Sequence, residues 1–165
     1  MAALHTTTAA HLVPERAVGA GDPPWLAIAR KYLGVKEYTP QAPGPRGETS
    51  NPAIEAWQAE AGIRRPDDEI PWCAAFVAHV MLEAGFAFRT SSARAWARFG
   101  KPVTAPRPGA IAVLWRDSPE SAHGHVGFFV REDERGIWLL GGNQGNAVTV
   151  RAYPRHRVVG YRWPA

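Results

Sequence analysis

The pattern of the chain changes once, at Gly109, and that change limits the fold more than any other feature. Before it, apolar residues recur at helical spacing between breaks rich in Pro and Gly. After it come short β-branched or aromatic runs: Ile111–Trp115, Val126–Val130, Ile137–Leu140, Val148–Ala152 and Val158–Trp163, each bounded by turn residues. Short loops between such runs favour antiparallel pairing. Helices first and a sheet second is the α+β order. No internal repeat and no second core interrupts it. A chain of 165 residues suffices for one compact domain. That domain is expected over residues 23–165. Residues 1–22 mix Ala, Thr, His, Gly and Pro without periodicity and read as a flexible leader.

In the helical half, Trp25, Ile28, Ala29 and Tyr32 predict a helix from Trp25 to Leu33 that stops at Gly34. Thr39–Ser50 holds three Pro and two Gly and reads as a loop. Asn51 caps a second helix, with Pro52 in its first turn, that runs to about Ala61. Arg64–Glu69 is a polar connection to a third helix, Cys73–Glu83. This one is rich in Ala and free of Pro and Gly, with Pro71 just before it and Gly85 just after. A short helix is expected at Ser92–Phe99, and Lys101–Gly109, with three Pro, closes this half.

Cys73 is the single cysteine of the chain, so it forms no internal disulfide. Packing, metal ligation and chemistry remain as its uses. Its place in the first turn of a helix favours chemistry, because unpaired N–H groups and the helix dipole stabilise a thiolate there. A depressed thiol pKa and a thiolate–imidazolium pair at neutral pH are therefore expected. Asp67, Asp68 and Glu69 oppose that shift if they point inward; capping the helix or contacting substrate amines is the expected use of these acids. A thiolate nucleophile needs a base, and the base an orienting group. His125 opens the strand His125-Val126-Gly127-Phe128, whose alternate side chains can face the helix. The next strand ends in Gly141-Gly142-Asn143-Gln144-Gly145-Asn146. Pairing of the two as a hairpin brings an amide near Asn143 beside the imidazole.

Composition narrows the partner. A net charge of +4 suits a polyanion: nucleic acid, a membrane surface or a cell-wall polymer. No basic run interleaved with exposed aromatics marks a nucleic-acid module. The four Arg between Arg151 and Ala165, a stretch without acids, therefore read as generic attraction. Seven Trp, several beside Pro, read as core anchors at element ends, or in part as the wall of a groove that stacks on a sugar or peptide. Met1–Gly21 lacks the pattern of a secretory signal, and no segment is long enough to span a membrane, so the chain is expected to be cytoplasmic as made.

Pro-Trp-Cys-Ala-Ala-Phe-Val at 71–77, Gly-His-Val at 124–126 and Gly-Gly-Asn at 141–143 resemble the signature blocks of the CHAP and NlpC/P60 group. Those are papain-like cysteine hydrolases of bacterial peptidoglycan. Pro-Trp-Leu-Ala-Ile-Ala-Arg and Leu-Gly-Val-Lys-Glu are similar to the start of one subgroup from phage-associated and bacterial genomes. The resemblance spans about residues 23–163. It implies a papain-like α+β fold whose nucleophile sits at a helix N-terminus on a sheet of about five strands. It also implies Cys73 as nucleophile, His125 as general base and acid, and Asn143 as the residue that orients the imidazole. Many CHAP enzymes carry Glu two positions before this Asn; here Gly141 stands there, so Gln144 or Asn146 takes the role if the register slips. The substrate groove is expected to draw on Trp72, His123, Gln144 and Asp68.

The implied activity is endopeptidase or N-acetylmuramoyl-L-alanine amidase action, without a cofactor, by a monomer that binds no nucleic acid and has no membrane span. Release by a phage holin or a secretion system follows, the latter with an immunity protein. A non-catalytic wall-binding module and a cysteine hydrolase of another amide, such as a deamidase, are the rivals. Zinc on Cys73, His123 and His125 would need a ligand pattern the chain lacks. His79 reads as a satisfied core or surface histidine, His156 as solvated, and Glu132-Asp133-Glu134 as a hairpin turn.

Overall fold

A computed structural model describes residues 19–165. Three helices, α1 (Pro24–Lys31), α2 (Pro52–Glu60) and α3 (Cys73–Glu83), precede a short 3-10 turn at Arg94–Arg98. Six strands follow: β1 (Lys101–Val103), β2 (Ile111–Trp115), β3 (Gly124–Asp133), β4 (Gly136–Gly141), β5 (Thr149–Tyr153) and β6 (Val158–Trp163). They form one antiparallel sheet in the order β1-β6-β2-β3-β4-β5. The α+β architecture is as expected, with one more strand than the sequence suggested. That strand, β1, was hidden by Pro102. Proline cannot donate to a ladder, yet β1 is an edge strand where one side needs no partner.

Local chemistry accounts for the helices. Pro24 begins α1, and the Trp25 indole donates to the Gly109 carbonyl at 2.8 Å, tying the first helix to the break before β2. The Asn51 side chain accepts from the Ala53 N–H and so caps α2. Every residue from Cys73 to Ala78, with Val80 and Met81, is buried, so α3 is apolar nearly all round and forms the central helix. Gly85 stops it with a φ of +93°, a conformation glycine adopts without strain. The helix expected at Ser92–Phe99 is the 3-10 turn, with Trp96 wholly buried.

Alternation along the strands sorts the core in two. Ile111, Val113, Val126, Phe128 and Leu140 meet the helices. Ala112, Leu114, Phe129 and Leu139 meet each other on the far face. His125 pairs in register with Leu114 and so falls on that far face, at the end of β3 where it still shares a hollow with Cys73. Neighbouring strands lie about 5 Å apart. The Tyr153 ring of β5 nonetheless lies 4.9 Å from the imidazole of β3, across the intervening β4. The sheet must therefore curl with this face concave.

Of the expected leader, residues 1–18 lie outside the described residues. Residues 19–22 form a turn in which the Asp22 carboxylate takes the Gly19 N–H and pairs with Arg30 at 2.8 Å. Among the described residues no helix is long and apolar enough to cross a membrane.

Candidate active site

Cys73 stands at the junction of two hollows. Pro71, Cys73, Arg116 and Gly124 line both. The larger, about 270 Å³, adds His125, Asn143, Arg151, Tyr153 and Arg157. The smaller, about 160 Å³, adds Ser91, Ser92, Ala93, Ala122 and His123. A groove thus runs past the thiol on both sides. Cys73 begins α3, and Trp72, the residue before it, supplies no side-chain cap. The first intrahelical bond is made by the Phe76 N–H, so the amides of the first turn have no acceptor within the helix.

His125 meets a glutamine. Its Nε2 lies 2.9 Å from Oε1 of Gln144, a residue only 2% exposed. The glutamine amide cannot be turned round, because its Nε2 donates to the carbonyls of Leu139 at 3.1 Å and Thr149 at 2.7 Å. Oε1 therefore faces the imidazole, so His125 carries its proton on Nε2 and keeps the Nδ1 lone pair free. The residue bonded to the imidazole is thus Gln144, one of the two alternatives to Asn143 that the sequence left open. Asn143 and Asn146 take positive φ values of 55° and 60°, and this tight turn swings Gln144 inward while Asn143 stays on the groove wall. Gly141 makes the room: a Cβ there would stand 2.7 Å from Gln144 Oε1. The absence of a side chain at Gly141 leaves a gap that the amide of Gln144 fills.

The surroundings do not favour the expected thiolate–imidazolium pair at rest. Burial pushes the Cys73 thiol up; the backbone amides of Val126, Ala74 and Cys73 and the charge of Arg116 pull the other way with less effect. Burial likewise pushes His125 down from 6.5 to about 4, against the Gln144 bond and with help from Arg157, Arg116 and Arg151. Desolvation outweighs the helix dipole, and the resting pair is a neutral thiol and a neutral imidazole. Burial also lifts Tyr153 to about 12, so its hydroxyl stays protonated while its ring stacks on the imidazole at 25°.

A stability consequence follows from the depressed His125. As pH falls below 6.5 the unfolded chain takes up this proton first, and the folded chain resists it down to about 4. Stability present above the unfolded value is lost across that window, by about 3 kcal/mol. Urea denaturation of the native protein and of His125→Gln, at neutral pH and near pH 4, should show that extra loss in the native protein alone. Equal losses in both would refute it.

Two expected groove residues are structural. Trp72 is wholly buried, its indole donating to Glu37 Oε1 at 2.8 Å and its ring set against Trp57, so it offers no face to a substrate. Asp68 is also wholly buried; its carboxylate holds the N–H groups of Tyr38 at 2.8 Å and Asn51 at 2.6 Å, anchoring the 36–51 loop to the start of α2. Asp68→Ala leaves the buried Asn51 N–H and the half-buried Tyr38 N–H unpaired and should cost about 2–4 kcal/mol in chemical denaturation. An unchanged midpoint would contradict this anchoring role.

The remaining candidates fall into place. Gln144, expected to touch substrate, is instead buried beneath the imidazole. His123 is exposed on the smaller hollow with Nδ1 2.8 Å from Asp117, and shares no bond with His125. His79 bonds Glu60 and Tyr32 at 2.8 Å each and stacks on Trp57, a satisfied surface histidine. His156 is exposed beside Trp115. Glu132 and Asp133 end β3 and Glu134 opens the turn to β4, with Asp133 accepting from Trp138. Most tryptophans are anchors: Trp25, Trp57, Trp72 and Trp96 are buried. Sequence reasoning missed Tyr153 and the three arginines of the groove, which come from separate elements; the one available signal was the acid-free stretch after Arg151.

Residues 65–143 match the family model for the CHAP domain. The match includes Cys73 and His125 and ends at Asn143, one residue short of Gln144. No curated protein matches the chain.

Proposed function

We propose that this CHAP-type domain hydrolyses a peptide or amide bond of bacterial peptidoglycan, as an endopeptidase or an N-acetylmuramoyl-L-alanine amidase, through Cys73. One observation carries the reading. A cysteine at an uncapped helix start and a histidine whose Nε2 proton is fixed by a buried amide open onto the same groove.

The chemistry follows from that arrangement. His125 Nδ1 accepts the thiol proton as the sulphur attacks the substrate carbonyl carbon. The C–S bond forms, and the carbonyl π pair moves onto oxygen. The free backbone N–H of Cys73 is placed to stabilise that oxyanion. Collapse of the intermediate breaks the C–N bond, and the imidazolium passes its proton to the departing nitrogen. Water, deprotonated by the now neutral imidazole, then attacks the thioester, and the leaving sulphur regains a proton. Because the resting pair is neutral, proton transfer accompanies attack rather than preceding it.

The chain acts as a monomer made in the cytoplasm and reaches the wall through a holin or a secretion system; in the second case an immunity protein accompanies it. Incubating the purified protein with peptidoglycan and identifying soluble products by mass spectrometry tests the reading. Fragments with new amino and carboxyl ends are expected, and their positions name the bond. Absence of any fragment would overturn it.

A further inference from the structure

Three positive side chains that form no ion pair among the described residues converge on one wall of the groove. Arg116 follows β2, Arg151 stands on β5 and Arg157 ends the short turn before β6, yet all three line the larger hollow with Cys73 and His125. None of the residues lining either hollow is acidic. Among the described residues Arg116 and Arg151 make no ion pair and no side-chain hydrogen bond. Arg157 uses its Nε on the Trp115 carbonyl at 3.0 Å, which aims the guanidinium while leaving its other nitrogens free to donate.

Four other arginines are engaged. Arg131 pairs with Asp133, Arg155 with Glu132, Arg162 donates to the Phe99 carbonyl, and Arg107 lies over the Trp163 ring. Among the described residues Arg116, Arg151 and Arg157 form no ion pair, and they lie together where a substrate would lie. They also act together, since each disfavours a proton on His125. Gathering like charges in a partly desolvated groove is unfavourable until an anion enters. Guanidinium groups match a carboxylate in planarity and donor spacing.

The geometry points to a carboxylate-binding subsite formed by Arg116, Arg151 and Arg157, which selects substrates carrying a free carboxylate beside the bond that Cys73 attacks. It rests on the hydrolase reading above for what occupies the groove, and it deepens that reading by naming the substrate class. The ligand is an acidic stem peptide, and its carboxamide form is the one the groove rejects.

Binding separates this inference from turnover. Cys73→Ala protein is titrated by calorimetry with the synthetic stem peptide L-Ala-γ-D-Glu-L-Lys-D-Ala. The same peptide is then tested with the glutamyl carboxyl, the terminal carboxyl, or both converted to carboxamides. The diacid should bind at least about tenfold more tightly than the diamide at low salt, and the two monoamides show which carboxylate is read. Adding Arg116→Gln or Arg151→Gln should shrink that ratio. Both residues are exposed and unpaired, so the fold does not depend on them. Equal or undetectable binding of diacid and diamide, or a ratio unchanged in both arginine variants, would overturn the subsite. Fragment release by the native protein is read separately. Release without discrimination removes the subsite and leaves the hydrolase; discrimination without release removes the hydrolase and leaves an acidic-peptide groove.

Discussion

Cys73→Ala removes fragment release from peptidoglycan, with a loss of at least about 10⁴-fold in kcat/KM, and leaves the melting temperature nearly unchanged. The two halves of that result have separate causes. Turnover ends because no other described residue in the groove offers a comparable nucleophile. Ser91 and Ser92 lie in the smaller hollow, away from the imidazole. Stability survives because alanine is the better helix former and the thiol is a small group at the start of α3. Cys73→Ser sharpens the test. Its hydroxyl keeps the shape of the thiol, but His125, held near 4, is too weak a base to strip a hydroxyl whose acidity is far lower still. Serine should therefore be almost as inactive as alanine. Fragment yield by mass spectrometry, beside thermal denaturation, decides it, and wild-type release from Cys73→Ala would end the cysteine mechanism.

What could be read from the sequence was what neighbouring residues determine. The start of α3 follows from Pro71, an Ala-rich run and Gly85, all within a few residues of the thiol. The strand that carries His125 follows from its β-branched and aromatic run. The orienting residue is different, because it depends on contacts made at a distance. The turn at 143–148 is pinned by the segment after α1: Glu37 N–H donates to the Asn146 carbonyl, and Gly34 N–H to that of Val148. No local pattern specifies those bonds, yet they set which amide turns inward. Proximity in sequence also misled. Trp72 and Asp68 stand close to Cys73 along the chain, but the turn that presents the thiol to the groove sends both side chains into the interior. The three groove arginines were legible only as net charge, since strand order alone brings them together.

Gln144→Leu is the sharper test of that non-local part. Leucine fills similar space but leaves the His125 Nε2 proton without an acceptor, so the imidazole is free to hold its proton on the wrong nitrogen. The expected loss is about 10²–10³-fold in kcat with KM little changed, because Gln144 is buried beneath the imidazole and does not face the groove. Gly141→Ala should show the same signature more weakly, as its Cβ would press on Gln144 Oε1 from 2.7 Å. The pH profile separates positioning from general damage. The Gln144 bond raises the pKa of His125, so removing it should move the acid limb of kcat/KM below its position near 4, whereas a negative side chain in Gln144→Glu should move it upward. A merely loosened fold would shift neither limb in opposite directions for the two substitutions. Asn143→Ala keeps the imidazole's partner intact and should spare the profile; if it, rather than Gln144→Leu, carried the loss in kcat and the shift in the limb, the orienting role would return to Asn143.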